Sequence, residues 1–154
     1  MFATTIDFLA LLSAALVVGT MFGVWLSFNP TGLSAAAYVV QQQRCIRSLN
    51  VIMPVLGGVT VLLTTASAIL SIDDRVGLTL LASAAACFVA AGLITRFANQ
   101  PINAIVMTWS SEAPPSDWAR RRDGWWRWHI LRTAFGLGGL CLLIAAALKP
   151  ASPG

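Results

Sequence analysis

VGLTLLASAAACFVAAGLIT, residues 76–95, runs straight into RFANQPIN, residues 96–103. The first 20 of these residues carry no charge. A helix rises 1.5 Å per residue, so about 20 apolar residues cross the roughly 30 Å hydrocarbon core of a bilayer. The arginine, asparagines and glutamine that follow mark the polar edge where such a helix emerges. Three more uncharged apolar windows accompany this one, at 8–28, 48–72 and 133–148. The last reaches spanning length only by taking in residues 129–132, which sets His129 and Arg132 in the headgroup region or just below it. The windows predict an all-α fold: an integral membrane four-helix bundle forming one domain over residues 1–154. Its spans fall near 6–28, 50–71, 76–97 and 128–148, with short interfacial helices in the loops between spans one and two and between spans three and four.

Composition agrees. Of the 154 residues, 57% are hydrophobic and 10% charged, and mean hydropathy is +0.76. Soluble domains carry about 25% charged residues, so the chain belongs in a membrane and leaves no length for a separate soluble domain. The first window is too long for a signal-peptide core, lacks a basic flank and has no clear cleavage site, so it reads as a retained helix. Cys45, Cys87 and Cys141 are scattered without a C-x-x-C pair. They read as buried thiols, against a thiol oxidoreductase. Arg44, Arg47, Arg120, Arg121, Arg122 and Arg127 fall in the two long loops, with Arg96 and Arg132 at the membrane edges of the second. By the positive-inside rule both long loops are cytoplasmic and both termini outside. Arginines beside anionic lipid account for the net charge of +4 without a nucleic-acid partner.

Along the chain, Gly19 and Gly23 permit another helix to approach span one, within the chain or in a homo-oligomer. Pro54 followed by Gly57 and Gly58 predicts a kink in span two that opens a gap or shapes a pocket. Residues 105–109 read as an interfacial segment. Pro114 and Pro115 break it, and Ser116 is placed to cap a new helix from Asp117. Gly136, Gly138 and Gly139 permit close packing in span four.

Polar residues concentrate on one side. Arg96, Asn99 and Asn103 fall at i, i+3 and i+7, and Arg122, Trp125, His129 and Arg132 share a second helical stripe. Intramembrane ionisable groups imply a buried partner or a water-filled cavity. Each residue also has a plainer reading. Arg96 can snorkel, the indoles of Trp125, Trp126 and Trp128 can form an interfacial belt (the better reading for Trp126), and a lone histidine can be structural. Asn99 and Asn103 can satisfy backbone freed by Pro101. One histidine without a neighbouring carboxylate or thiolate pair does not make a zinc, copper or di-iron site, so no metal is expected. A single axial haem ligand stays open. What remains is a histidine able to exchange a proton, donors able to hold an oxyanion, and indole faces beside an apolar cavity.

The segment Asn99-Gln100-Pro101-Ile102-Asn103, followed by Trp125 or Trp126, His129 and Arg132, resembles the N-x-P-x-N … W-x-x-x-H-x-x-R signature of the anthrone oxygenase-like family. These are small four-helix membrane proteins, many of them bacterial, which implies a bacterial cytoplasmic membrane here. The resemblance implies cofactor-independent oxidation of an apolar aromatic, anthrone- or quinol-like, by dioxygen. In that scheme His129 takes the proton, while Arg132, Asn99 and Asn103 hold the enolate oxygen. Trp125 and Trp128 pack on the rings, with Arg96 and Asn29 completing the substrate contacts. The alternative is a non-catalytic membrane protein that binds a lipid, quinone or haem, or supports a partner protein.

Overall fold

The structure, a computed structural model, describes residues 1–149, and among them there is no strand. Six α-helices follow in order: α1 (Phe2–Ser27), α2 (Ala35–Leu49), α3 (Ile52–Leu70), α4 (Arg75–Ile94), α5 (Gln100–Val106) and α6 (Trp118–Leu148). A 3₁₀ turn (Pro30–Gly32) lies between α1 and α2, and a π turn (Thr95–Asn99) joins α4 to α5. Four segments are long and apolar enough to cross a membrane: α1, α3, the α4–α5 rod and α6. The chain is therefore a multi-pass membrane protein.

Both α1 and α4 pack against α3 and α6, so the four long helices close a ring. Its outer surface exposes large apolar side chains such as Leu12, Leu16, Val55, Leu62 and Ile144, which suits lipid rather than water. Small residues face inward. On α3, Thr60, Thr64, Ser67 and Ala68 follow a helical stripe and are all buried. Between membrane helices close packing replaces the hydrophobic effect as the driving term, and small side chains allow it. Two close helix–helix contacts are made by α6. A Cβ added at Gly136 would meet Met21 Cε at 2.6 Å, and one at Gly139 would meet a Phe88 ring carbon at 2.8 Å. Gly19, Gly23 and Gly138 have nothing within 4 Å of an added Cβ, so the approach expected at the first two is not made within the chain. Instead α1 turns Ala10, Ala14 and Val18 inward.

Three local expectations change. The break falls at Asn50 and Val51, and Pro54 sits in the first turn of α3, where a missing N–H costs no helical bond. Ile105 and Val106, expected in a separate interfacial segment with residues 107–109, instead end α5, which continues the α4 rod and stops at Val106. Asp117, not Ser116, is the N-cap of α6, and its carboxylate accepts from Arg121 Nε at 2.7 Å and Arg120 Nη2 at 3.4 Å instead of capping.

Beyond the ring, α2, α5 and the first turns of α6 form a second core around Phe28, Tyr38, Ile46, Val106 and Trp125. Gln43 Nε2 ties α2 to the end of α5, donating to the carbonyls of Val106 (3.0 Å) and Trp109 (2.9 Å). The Val106 carbonyl also accepts from the Trp109 N–H at 3.1 Å, so Gln43 braces a turn that the backbone already closes. One uninterrupted α6, about 46 Å long at 1.5 Å per residue, joins this cap to the ring.

Candidate active site

Trp125, His129 and Thr133 lie at i, i+4 and i+8 of α6, and all are buried. His129 is completely buried. Its Nε2–H donates to the Met21 carbonyl at 3.2 Å, reaching across to α1. Its Nδ1 accepts from Arg132, at 3.3 Å from Nε and 3.0 Å from Nη2. A guanidinium has only donors, so Nδ1 carries the lone pair and the imidazole is the neutral Nε2–H tautomer. Arg132 Nη1 donates to Thr95 Oγ1 at 3.1 Å, and that hydroxyl donates to the Ala91 carbonyl at 2.8 Å.

Indoles hold the imidazole in plane. The ring centroid of Trp125 lies 5.1 Å from that of His129 at 2°, and that of Trp126 lies 5.6 Å away at 16°. Trp126 therefore belongs to the stack rather than to an outward belt. Trp128 is 42% exposed and takes no part. The reason is angular: positions 125 and 126 are four and three residues before 129, while 128 is rotated by about 100°.

The π turn decides which residues of the asparagine segment face α6. Pro101 has no N–H to offer the carbonyl four residues back, and just before it the helix widens, with the Gln100 N–H reaching the Thr95 carbonyl. Asn99 is buried and donates from Nδ2 to the Trp125 carbonyl at 3.1 Å. Arg96, expected on the same stripe, is exposed. Asn103 Nδ2 donates to Asn50 Oδ1 at 3.0 Å, while its own Oδ1 accepts from Gln42 Nε2 at 3.4 Å. Gln42 is wholly buried, and its Oε1 has no partner. Asn29 is exposed and spent on the 3₁₀ turn, accepting from Thr31 N (3.1 Å) and Thr31 Oγ1 (2.7 Å).

Two cavities adjoin these groups. A small one of about 50 Å³ is polar at one side, where Gln42, Asn50, Asn103, His129 and Arg132 meet. It exceeds the roughly 10–15 Å³ that a water needs. Cys45 also lines it, with its thiol pushed up by burial. The larger cavity, about 310 Å³, enters the ring between α3 and α4. That is within the size range of small-molecule sites. Gly57, Gly58 and Gly92 line it and have nothing within 4 Å of an added Cβ, so the glycines after Pro54 help shape a pocket, as one reading of that segment held. Its mouth includes exposed Pro54, Gly58, Val89 and Gly92 on membrane-spanning helices. Arg132, Thr95, Met21, Met53 and Pro54 belong to both linings, so the guanidinium stands between the two spaces.

Of the residues singled out from sequence, His129, Arg132, Asn103 and Trp125 come together at the small cavity, and Arg96 lines the large one. Asn99 lines neither cavity and reaches the site through Trp125, while Trp128 and Asn29 stand apart. Sequence reasoning did not assign Gln42, Thr95, Gly92 or the Met21 carbonyl. Only Gln42 carried a signal, as the middle of a glutamine run beside Arg44.

Fold and site together define a polytopic helical membrane protein with an inward-turned histidine–arginine pair beside an apolar cavity that opens between two long apolar helices. Residues 43–142 match the family model described as "Anthrone oxygenase". The match covers more than half of the chain, which therefore belongs to the anthrone oxygenase family. It takes in His129, Arg132, Asn99 and Asn103 and leaves out α1. No curated protein and no solved structure matches the chain.

Proposed function

We propose that the protein is a membrane-embedded oxygenase that oxidises an apolar anthrone- or quinol-like aromatic with dioxygen. The observation that carries this reading is the dual placement of Arg132. Its guanidinium holds the only lone-pair nitrogen of His129 and also forms the wall of the apolar cavity. An anthrone oxygen arriving from that cavity competes with imidazole for the guanidinium. As enolate charge develops on this oxygen, Arg132 shifts toward it, and Nδ1 is released to take the proton from the ring methylene. The carbanion carbon then bonds to dioxygen, and the peroxide so formed takes the proton back from the imidazolium. Loss of water leaves the carbonyl. The methylene and dioxygen thus yield a ketone and water with no net proton. Dioxygen accepts the electrons directly in this scheme.

In the same reading Asn103, steadied by Gln42 and Asn50, supplies a second donor at the polar end, while Asn99 acts through Trp125 by fixing the indole stack. The arginine distribution puts this end of the molecule on the cytoplasmic side. Haem ligation by His129 is the weaker alternative, because both ring nitrogens are already engaged. The test is anthrone-dependent oxygen uptake, above the protein-free rate, by the purified protein. His129→Ala and Arg132→Gln are expected to lower kcat/KM by about 10²-fold or more. Turnover and binding at wild-type values in His129→Ala would overturn the assignment.

A further inference from the structure

Two guanidiniums share the polar end of the 310 Å³ cavity. Arg132 reaches it from α6 and Arg96 from the π turn, with Thr95 and Gln100 beside them. Neither has a carboxylate within ion-pair distance among the described residues. Among the described residues the ion pairs join Asp117 to Arg120 and Arg121, Asp123 to Arg122, and Asp74 to Lys149. The imidazole and the Thr95 hydroxyl give Arg132 acceptors but no negative charge. The remaining wall is apolar, formed by groups such as Val17, Met53, Val61 and Phe88. A cation among apolar walls at membrane depth is costly without a counter-charge. Guanidinium also matches the oxygens of an organic anion better than any other side chain does.

We propose that this cavity binds a compact organic anion. Its apolar body lies between α3 and α4, and its carboxylate, phenolate or enolate oxygen rests on Arg132, with Arg96 nearer the mouth. The proposal goes beyond the oxygenase reading, because a ligand with no oxidisable position binds whether or not chemistry follows.

Anthracene-9-carboxylate has three fused rings and no methylene to oxidise, and neutral 9-anthracenemethanol is its uncharged counterpart. Binding of each to the full chain in phosphatidylcholine nanodiscs is read by energy transfer from tryptophan to anthracene. The carboxylate is expected to bind about 10-fold more tightly than the alcohol. Arg132→Gln should abolish that preference, Arg132→Lys should retain part of it, and Gly92→Leu should weaken both ligands. Arg96 is exposed, so Arg96→Gln keeps the test open if Arg132→Gln does not fold, and it should reduce the preference about 3-fold. Equal affinity for the two probes would overturn the proposal. So would a preference unchanged in a folded Arg132→Gln protein, or unchanged in Arg96→Gln where Arg132→Gln fails to fold. Anthrone-dependent oxygen uptake, measured on the same preparations, separates the two claims. Charge preference without turnover leaves the anion site standing and removes the oxygenase reading alone.

Discussion

His129→Leu keeps a side chain of similar volume in the indole stack but removes both of its hydrogen bonds. Arg132 loses the acceptor shared by Nε and Nη2, and the Met21 carbonyl loses a donor. A hydrogen bond to a charged group contributes about 1.5–3 kcal/mol and a neutral one about 1 kcal/mol. The substitution is therefore expected to destabilise by about 3 kcal/mol. Arg132→Met strands imidazole Nδ1 and takes a donor from Thr95 Oγ1, two hydrogen bonds of a charged group, at a cost of about 3 kcal/mol or more. In the double variant neither member of the pair is left stranded. Its cost should fall short of the two single costs combined by about 1.5–2 kcal/mol. Reversible unfolding in mixed micelles, titrated with dodecyl sulfate and followed by tryptophan fluorescence, measures all four corners of the cycle. Trp125 and Trp126 lie against the imidazole and report its loss directly. Additivity within about 0.5 kcal/mol would show that the two side chains do not act on each other and would remove the basis for an arginine that moves between imidazole and substrate.

Gly139→Ala should destabilise by about 1–3 kcal/mol, because its Cβ would fall 2.8 Å from the Phe88 ring, whereas Gly138→Ala should cost no more than a few tenths; the same micelle titration compares them. Gly92→Leu fills open cavity space, so anthrone-dependent turnover should drop about 10-fold or more while the unfolding midpoint stays near wild type. The Arg121 guanidinium beside Asp117 holds its carboxyl below the usual carboxylate range, with Arg120 adding to the effect. A depressed folded value means stability that is present above the ordinary carboxylate pKa of 3.8 and lost as pH falls through the lower folded one. Melting curves taken from pH 7 down to about 3 should therefore show a steeper acid decline in wild type than in Asp117→Asn.

Hydropathy made the four long helices legible, because a bilayer demands about 20 apolar residues in succession whatever else the sequence does. The 3.6-residue period likewise placed Trp125, His129 and Arg132 at one site, and it was sufficient to bring in Trp126, three residues before His129, had the angle been weighed against the aromatic-belt habit. Arg96 was misplaced relative to Asn99 for a different reason. The stripe assumed an unbroken α-helix, and the π turn ahead of Pro101 shifts the register between them. The partners of Asn103 were beyond local reading altogether. Gln42 and Asn50 lie 61 and 53 residues away and meet it only because α2 folds back over α5. Gly19 and Gly23 made the loudest packing signal of span one, yet the close approaches belong to Gly136 and Gly139, since a glycine pair says that contact is allowed and not which face is turned inward.

On helices long and apolar enough to cross a membrane, the exposed glycines and proline at the gap between α3 and α4 are expected to meet hydrocarbon rather than water. A molecule entering there is drawn from the lipid phase, so the cavity responds to mole fraction in the membrane and not to molar concentration in buffer. Adding inert phospholipid at constant total ligand thins the supply and lowers occupancy, even though no contact in the protein has changed. Affinities for this protein therefore acquire meaning only when the lipid-to-ligand ratio is stated with them.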